Sequence, residues 1–423
     1  MTEIDEQAQV KRGLSGVYFE RSYASDIDGA AGELRYRGYS IHDLAVHSTF
    51  EETAYLLLHG ELPTANQLSE FDEQLKIARV LPPTLLDIIA SVREAHPMDV
   101  LRTAVSALSG FDEERGDNTP DAVLRRGIRL TSQIPMVVAA HHHIREGRDP
   151  VSANPELAHA ENFLHLFRGE TPSEAAARLM DVDLILHAEH GSNASSFAAR
   201  VVTGTDADLH AALTAAVAAL SGSAHGGAAE NVMRMAQEIG HASNAAAYVR
   251  DKRQQRKPVM GFGHRVYRVE DPRARHLRDG VEALSREMGQ PQWFDILQAV
   301  VTAMKPYSRR GINVNVDFYA GVIYFLQGIP QDMFVPIFAV GRVPGWTAQI
   351  LEQLDNNILI RPLTLYDGPA PRLAVQPVRL GQHPRAQRVL LPCVRRLPAR
   401  LFLVPVSHAA RGLPQALSRR CCG

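Results

Sequence analysis

The chain has 423 residues, 45% hydrophobic and 22% charged, with 45 Lys and Arg against 47 Asp and Glu. That length can bury two or three domains' worth of core, and a formal charge of −2 argues against bulk electrostatic binding of nucleic acid. No leader-like pattern opens the chain, no apolar run is long enough to span a membrane, and all three cysteines (Cys393, Cys421, Cys422) fall near its end, so a soluble, cytoplasmic protein without thiol or disulfide chemistry in its body is expected.

In chain order, Val17 to Tyr39 holds the best strand signal, with Asp28-Gly29 able to turn a short hairpin. Ser48-x-x-Glu51 reads as a capping box before Ala54, Tyr55 and Leu58, and Gly60 then Pro63 end that helix. Pro97 opens a helix whose Leu101, Ala104, Val105 and Leu108 share one face. His141-His142-His143, at a helix end before Gly147, reads as a solvated surface. Thr171-Pro172-Ser173-Glu174 should start a helix running to Glu189 or His190, with Gly191 as terminator. The alanine-rich stretch Ala211 to Leu220 suits close helix packing. The pattern predicts an all-α protein with a minor β element near the N-terminus. From Ala370 to Gly423 there is no Asp, Glu or Lys, while Arg and Pro abound. That tail reads as a basic contact for an acidic partner, a disordered extension, or a stretch encoded out of frame.

Three acid–base candidates stand at glycine-flanked breaks or helix starts. His225, in Gly222-Ser223-Ala224-His225-Gly226-Gly227, precedes a helix over Ala228 to Ile239. A helix N-terminus favours the neutral imidazole, which can donate a hydrogen bond to a developing enolate; the plainer role is a loop histidine capping that helix. His264, in Met260-Gly261-Phe262-Gly263-His264-Arg265-Val266-Tyr267, stands among Arg256, Lys257, Arg265, Arg268, Arg273 and Arg275. Arg273 follows Asp271-Pro272 at a helix start, where a cation and helix N–H groups suggest an anion between them; otherwise this is a solvated basic loop. Asp317 lies where a polar turn enters the apolar helix Phe318 to Leu326, as a carbon-acid base or as a structural N-cap. His187 and His190, three apart at a helix end, are not in HExxH zinc order, and no metal site is expected. Arg342 and Arg361 are planar forks suited to carboxylates or to surface salt bridges.

These stretches in this order resemble the citrate synthase family over roughly residues 12 to 368. They are His187 through Ser195, His225-Gly226-Gly227-Ala228, Gly261 through Arg268, Asp271-Pro272-Arg273, Asn315 through Tyr319, Gly345-Trp346-Thr347-Ala348, and Glu352-Gln353 onward to Arg361-Pro362. The resemblance implies a helical homodimer with a large domain in two parts (1–224 and 321–369), a small domain (225–320) and the atypical tail 370–423. It implies the citrate-forming step of the tricarboxylic acid cycle: acetyl-CoA condensing with oxaloacetate, the coenzyme A thioester being a substrate and no cofactor being needed.

By the same resemblance Asp317 looks like the base, His225 the donor to the thioester oxygen, and His264 the group that polarises the oxaloacetate carbonyl. His190, Arg273, Arg342 and, from the partner subunit, Arg361 would hold carboxylates. Arg268 and the backbone of Met260, Gly261, Phe262 and Gly263 would face coenzyme A. The chain departs from the family pattern at Ser192, Ala229, Asn231 and Gln349. Neither nucleic acid nor membrane is an expected partner. The near alternative is 2-methylcitrate synthase acting on propionyl-CoA, one methylene apart; the distant one is a non-catalytic helical binding protein.

Overall fold

In the computed structural model, residues 10–14 and 16–369 are described, and the composition-biased tail from Ala370 lies outside them. The N-terminal alternation forms a three-stranded antiparallel sheet, β1 (Ser25–Asp28), β2 (Glu33–Tyr36) and β3 (Tyr39–Ser40), in that order. Asp28 makes the hairpin by accepting the N–H groups of Ala30 (2.9 Å) and Ala31 (2.8 Å), and β2 turns Leu34 and Tyr36 into the core.

Sixteen α-helices follow among the described residues: α1 (Ile41–His47), α2 (Phe50–His59), α3 (Ala65–Ile77), α4 (Pro83–Ser91), α5 (Pro97–Leu108), α6 (Pro120–Arg145), α7 (His159–Arg168), α8 (Glu174–His187), α9 (Ala194–Thr203), α10 (Leu209–Leu220), α11 (Ala228–Ile239), α12 (Ala245–Gln254), α13 (Ala274–Glu287), α14 (Gln292–Met304), α15 (Asp317–Leu326) and α16 (Phe334–Asp355). The fold is all-α with a minor N-terminal sheet, as expected. None of these helices is long and apolar enough to cross a membrane.

Several boundaries move for local reasons. The capping box of α2 is Thr49 with Glu52, one residue later than the spacing suggested. Ser48 instead closes α1, and buried Glu51 turns inward to accept the N–H of His159 at 2.7 Å. Helix α8 begins after Ser173, whose hydroxyl accepts from Ala176, and it ends at His187, so Glu189 and His190 fall beyond it. The triple His141-His142-His143 is buried, not solvated. His141 and His143 reach the carbonyls of Arg93 (2.9 Å) and Leu166 (2.7 Å), and His142 stacks on Phe167. Histidine keeps a polar edge for a single carbonyl while its ring packs like an aromatic, which is why a run of three can enter a core.

Helix α16 is the axis of the molecule. Almost every residue from Phe334 to Ile350 is buried, and it packs against α2, α6, α8, α9 and α10. Farther along, α11 and α13 pack on α15, and α12 packs on α14. All these elements belong to one unit ending at Leu363; of the stretch beginning at Thr364, residues 364–369 have no regular secondary structure.

Candidate active site

Two turns and two helix ends carry the chemical groups. The turn bearing His264 is pinned to the segment before α15. Phe262 bridges Val314, the Gly263 N–H donates to the Asn313 carbonyl (2.7 Å), and the Asn315 side chain donates to the Gly263 carbonyl (3.0 Å) while its main-chain N–H donates to the Gly261 carbonyl (2.9 Å). Gly261 is required there: its φ is +76°, and a Cβ would stand 2.5 Å from the Phe318 ring. One backbone bridge therefore sets His264 and Asp317 in register.

His264 Nδ1 accepts the N–H groups of Val266 (3.0 Å) and Tyr267 (3.2 Å), so the neutral ring carries its proton on Nε2 as a donor. Burial, reinforced by the Arg273 charge, pushes its pKa down to about 4 and keeps it neutral at physiological pH. His190 lies edge-on to it at 5.2 Å between ring centroids and bonds the Tyr267 hydroxyl at 3.0 Å. Burial likewise holds His190 well below the ordinary histidine value.

His225 occupies the turn before α11. Its Nε2 faces Ser195, at 2.9 Å from the hydroxyl and 3.3 Å from the amide N–H, and Trp346 Nε1 donates to the same hydroxyl at 3.0 Å. The same hydroxyl and amide N–H also donate to Asn193 Oδ1, at 2.7 and 3.1 Å. Burial and Arg342 push His225 down to about 4. Its turn is braced by Asn231, whose side chain donates to the Gly227 carbonyl (2.7 Å), while the Ala229 carbonyl fits against Gly321.

Asp317 is the first residue of α15, and the N-cap position before it is taken by Val316. Asp317 is half-buried, and burial raises its carboxyl above the ordinary range, with His187 and Arg273 opposing the rise. The structural N-cap role is thus not the one it plays. Beneath it His187 Nδ1 bonds the Asp183 carbonyl (2.8 Å), and Tyr324 donates to Asp183 at 2.6 Å.

The anion inferred beside Arg273 turns out to include one of the chain's own. Asp271 receives both Nε (2.9 Å) and Nη2 (2.7 Å) of Arg273, deep in the interior. Burial alone would raise Asp271; the guanidinium outweighs it and holds the carboxyl below its usual range. Arg342 projects from α16, donates through Nε to the His187 carbonyl, and lies 4.6 Å over the Phe338 ring. Its Nη1 is buried without a partner among the described residues.

The expected groups His190, His225, His264, Arg273, Arg342 and Asp317 therefore share one electrostatic neighbourhood. Arg268 is exposed, its N–H bound to the Gly29 carbonyl (2.8 Å). Arg361 is not brought into the cluster: it is exposed in the extended segment after α16, which Asn357 ties to the end of α9. Among the described residues no group of three or more His, Cys, Asp or Glu side chains could hold a metal ion.

A family profile described as citrate synthase, C-terminal domain, matches residues 13–363. Citrate synthase 2 of Bacillus subtilis is 43% identical over 363 residues, which is 85% of this chain and 96% of that protein. The chain belongs to the citrate synthase family. A 2-methylcitrate synthase of Mycobacterium tuberculosis is 39% identical over 371 residues, 88% of this chain and 93% of its own. The solved structure of Thermoplasma acidophilum citrate synthase, a ternary complex with carboxymethyl coenzyme A and oxaloacetate, superposes with a TM-score of 0.81 at 30% identity, covering 87% of this chain and 98% of that one.

Sequence reasoning passed over Ser195, Tyr267 and Asp271 as partners of site residues. All three lie inside the motifs that carry the family resemblance. Their positions were visible, but their roles needed the pairings across the fold.

Proposed function

We propose that this member of the family condenses acetyl-CoA with oxaloacetate and water to give citrate and coenzyme A. The observation that carries the reading is the grouping of Asp317, with its raised carboxyl, and two histidines held neutral, all within the fields of Arg273 and Arg342. Asp317 takes a proton from the acetyl methyl group, and His225 stabilises the enol oxygen through a hydrogen bond, matched to a charge that develops only as the reaction proceeds. The enol carbon attacks the oxaloacetate ketone, and the new alkoxide takes its proton from His264 Nε2. Water then hydrolyses the citryl thioester, releasing the coenzyme A thiol; Asp317 gives up its proton and His264 regains one from solvent.

His190, Arg273 through its remaining Nη1 edge, and Arg342 hold substrate carboxylates. Arg361 completes the site from the partner of a homodimer, and its exposed position beyond α16 suits that reach. Arg268 and the backbone of Met260, Gly261, Phe262 and Gly263 face coenzyme A. Residues 225–320 close as a small domain against 1–224 and 321–369, drying the site and aligning the substrates. The thioester is a substrate and no separate cofactor takes part; the reaction belongs in the cytoplasm.

Release of free thiol from acetyl-CoA, measured with and without oxaloacetate and repeated with propionyl-CoA, tests this. Oxaloacetate-dependent release that is faster with acetyl-CoA is expected. Faster release with propionyl-CoA would move the chain to 2-methylcitrate synthesis, the alternative that the 39% identity to the mycobacterial enzyme leaves open. No release with either thioester would overturn both.

A further inference from the structure

The wall between α8 and α16 contains a second buried charge that the mechanism above does not use. Glu189, two residues past α8, is fully buried. Its Oε1 accepts from Ser25 (3.1 Å) and Gln349 (3.0 Å), while its Oε2 is buried and accepts nothing among the described residues. Across from it, Arg342 also has a buried, unpartnered atom in Nη1. Each is the strongest electrostatic influence on the other, yet no direct bond joins them.

The sequence of α16 makes this placement possible. Arg342, Gly345 and Gln349 recur at helical spacing on one face. At Gly345 a Cβ would stand 2.6 Å from Glu189 Oε2 and 2.0 Å from the Ala188 carbonyl oxygen, so only glycine leaves room for the carboxylate. Gln349 accepts Arg200 Nη1 on its Oε1 (2.8 Å), which fixes its amide the right way round to donate to Glu189. That glutamine is one of the chain's departures from the family pattern.

We propose that Glu189 balances charge in the carboxylate subsite: it is ionised opposite Arg342 when the subsite is empty, and takes a proton on Oε2 when the substrate's carboxylate occupies the guanidinium. The inference rests on the assignment of Arg342 as a carboxylate grip. Two carboxylates sharing one buried cation cannot both remain charged cheaply, so the arriving anion raises the proton affinity of the resident one. The proton comes from solvent, and binding of oxaloacetate carries up to one proton into the protein.

Burial already pushes Glu189 up to about 7, with Arg342, Gln349 and Ser25 opposing it, so little further rise is needed. The other charged and titratable groups around it are accounted for. His190 is held well below the usual value, and His225 and His264 sit at about 4. Asp183 Oδ2 accepts from Tyr324, while its Oδ1 is buried without a hydrogen-bond partner among the described residues; Arg273 is bound by Asp271, and Arg200 by Glu352 and Gln353. Tyr36 of β2 donates to main-chain carbonyls of α8, and burial keeps its phenol protonated. Asp317, which burial raises as well, and Asp183, through its unpartnered Oδ1, are the competitors for the proton.

Calorimetric titration of the full chain with oxaloacetate, in pairs of buffers with different ionisation enthalpies between pH 6 and 9, reads the proton count directly. Uptake approaching one proton is expected, with affinity falling by up to about tenfold per pH unit on the alkaline side of the free Glu189 titration. Glu189→Gln should abolish the uptake and flatten the affinity profile; Asp317→Asn should keep both. Gln349→Met, which removes a bond favouring the ionised carboxylate, should move the uptake window to higher pH. Uptake that survives Glu189→Gln overturns the proposal, as does uptake that disappears in Asp317→Asn. Should Glu189→Gln not fold, an unmoved window in Gln349→Met overturns it. Undiminished binding in Arg342→Gln would instead remove the carboxylate grip itself, which separates that failure from this one.

Discussion

The two sides of the site are built by different means. His264 and Asp317 sit on turns held by main-chain bonds: the Phe262–Val314 bridge, the Gly263–Asn313 and Asn315–Gly261 pairs, and two N–H groups aimed at His264 Nδ1. Opposite them, His225 and Glu189 are placed by side chains from other elements: Ser195, braced by Trp346, for the one, and Gln349 and Ser25 for the other. Main-chain bonds persist whatever the neighbouring side chains are, so the first arrangement tolerates most substitutions but depends on the backbone path. The second tolerates backbone adjustment but depends on individual side chains, because each buried bond lost leaves its partner unsatisfied.

Five substitutions would sharpen or break that contrast. The largest effect is expected from Asp317→Asn, which keeps the turn and removes the base; turnover should fall by roughly 10²–10⁴-fold with the fold intact by circular dichroism. Wild-type turnover in that variant would remove the base assignment. Next, Gly261→Ala attacks the backbone side directly. Its Cβ would meet Phe318 at 2.5 Å in a left-handed conformation, so a loss of roughly 1–3 kcal/mol in chemical denaturation is expected, together with lower turnover.

Ser195→Ala tests the side-chain wall by leaving Trp346 Nε1 and His225 Nε2 short of a partner. A loss of about 1–3 kcal/mol is expected, appearing mainly in kcat, and an unchanged kcat would show that His225 is held by its turn alone. The smallest effect separates Thr49 from Ser48. Thr49→Ala should cost about 1 kcal/mol in thermal unfolding as the loss of a true cap, without changing turnover. An equal loss of capping stability in Ser48→Ala, read by exchange of the first-turn amides of α2, would contradict the shifted box.

The acid limb of activity belongs to the same comparison. Because burial raises Asp317 above the ordinary carboxylate range, the base is lost to protonation at a higher pH than an exposed aspartate would be. The rate should therefore fall on acidification at a higher pH than an exposed aspartate base would give. A limb that moves with Ser195→Ala rather than with changes around Asp317 would assign it to His225.

Local rules carried much of the fold. Pro97 at its helix start, Gly60 at a helix end, the Asp28 turn and the Ala228–Ile239 helix follow from propensity and capping, which act over four or five residues and need no partner. Where two neighbouring residues could serve equally, as with Ser48 and Thr49 or Thr171 and Ser173, local rules could not choose. The choice went to burial of Glu51 and packing of α8. The histidine triple was misjudged for the same reason, since a ring's burial depends on which carbonyl the rest of the chain brings to it.

By itself, then, the sequence determined the helical class, the glycine-flanked placement of His225 and His264, the helix-start position of Asp317 and the motif order that marks the family. These are short-range features, written in contiguous residues. Tertiary structure alone decided that Asp271 takes the fork of Arg273, that Ser195 and Trp346 hold His225, and that Glu189 and Arg342 face each other with unpartnered buried atoms. In the Ser195, Trp346 and Glu189 pairings the partners lie from thirty to more than 150 residues apart, and Asp271–Arg273 pair only because both are sealed in the interior. Charges and hydrogen bonds gain their strength from exclusion of water, and which groups are excluded together is settled only when the whole chain has packed.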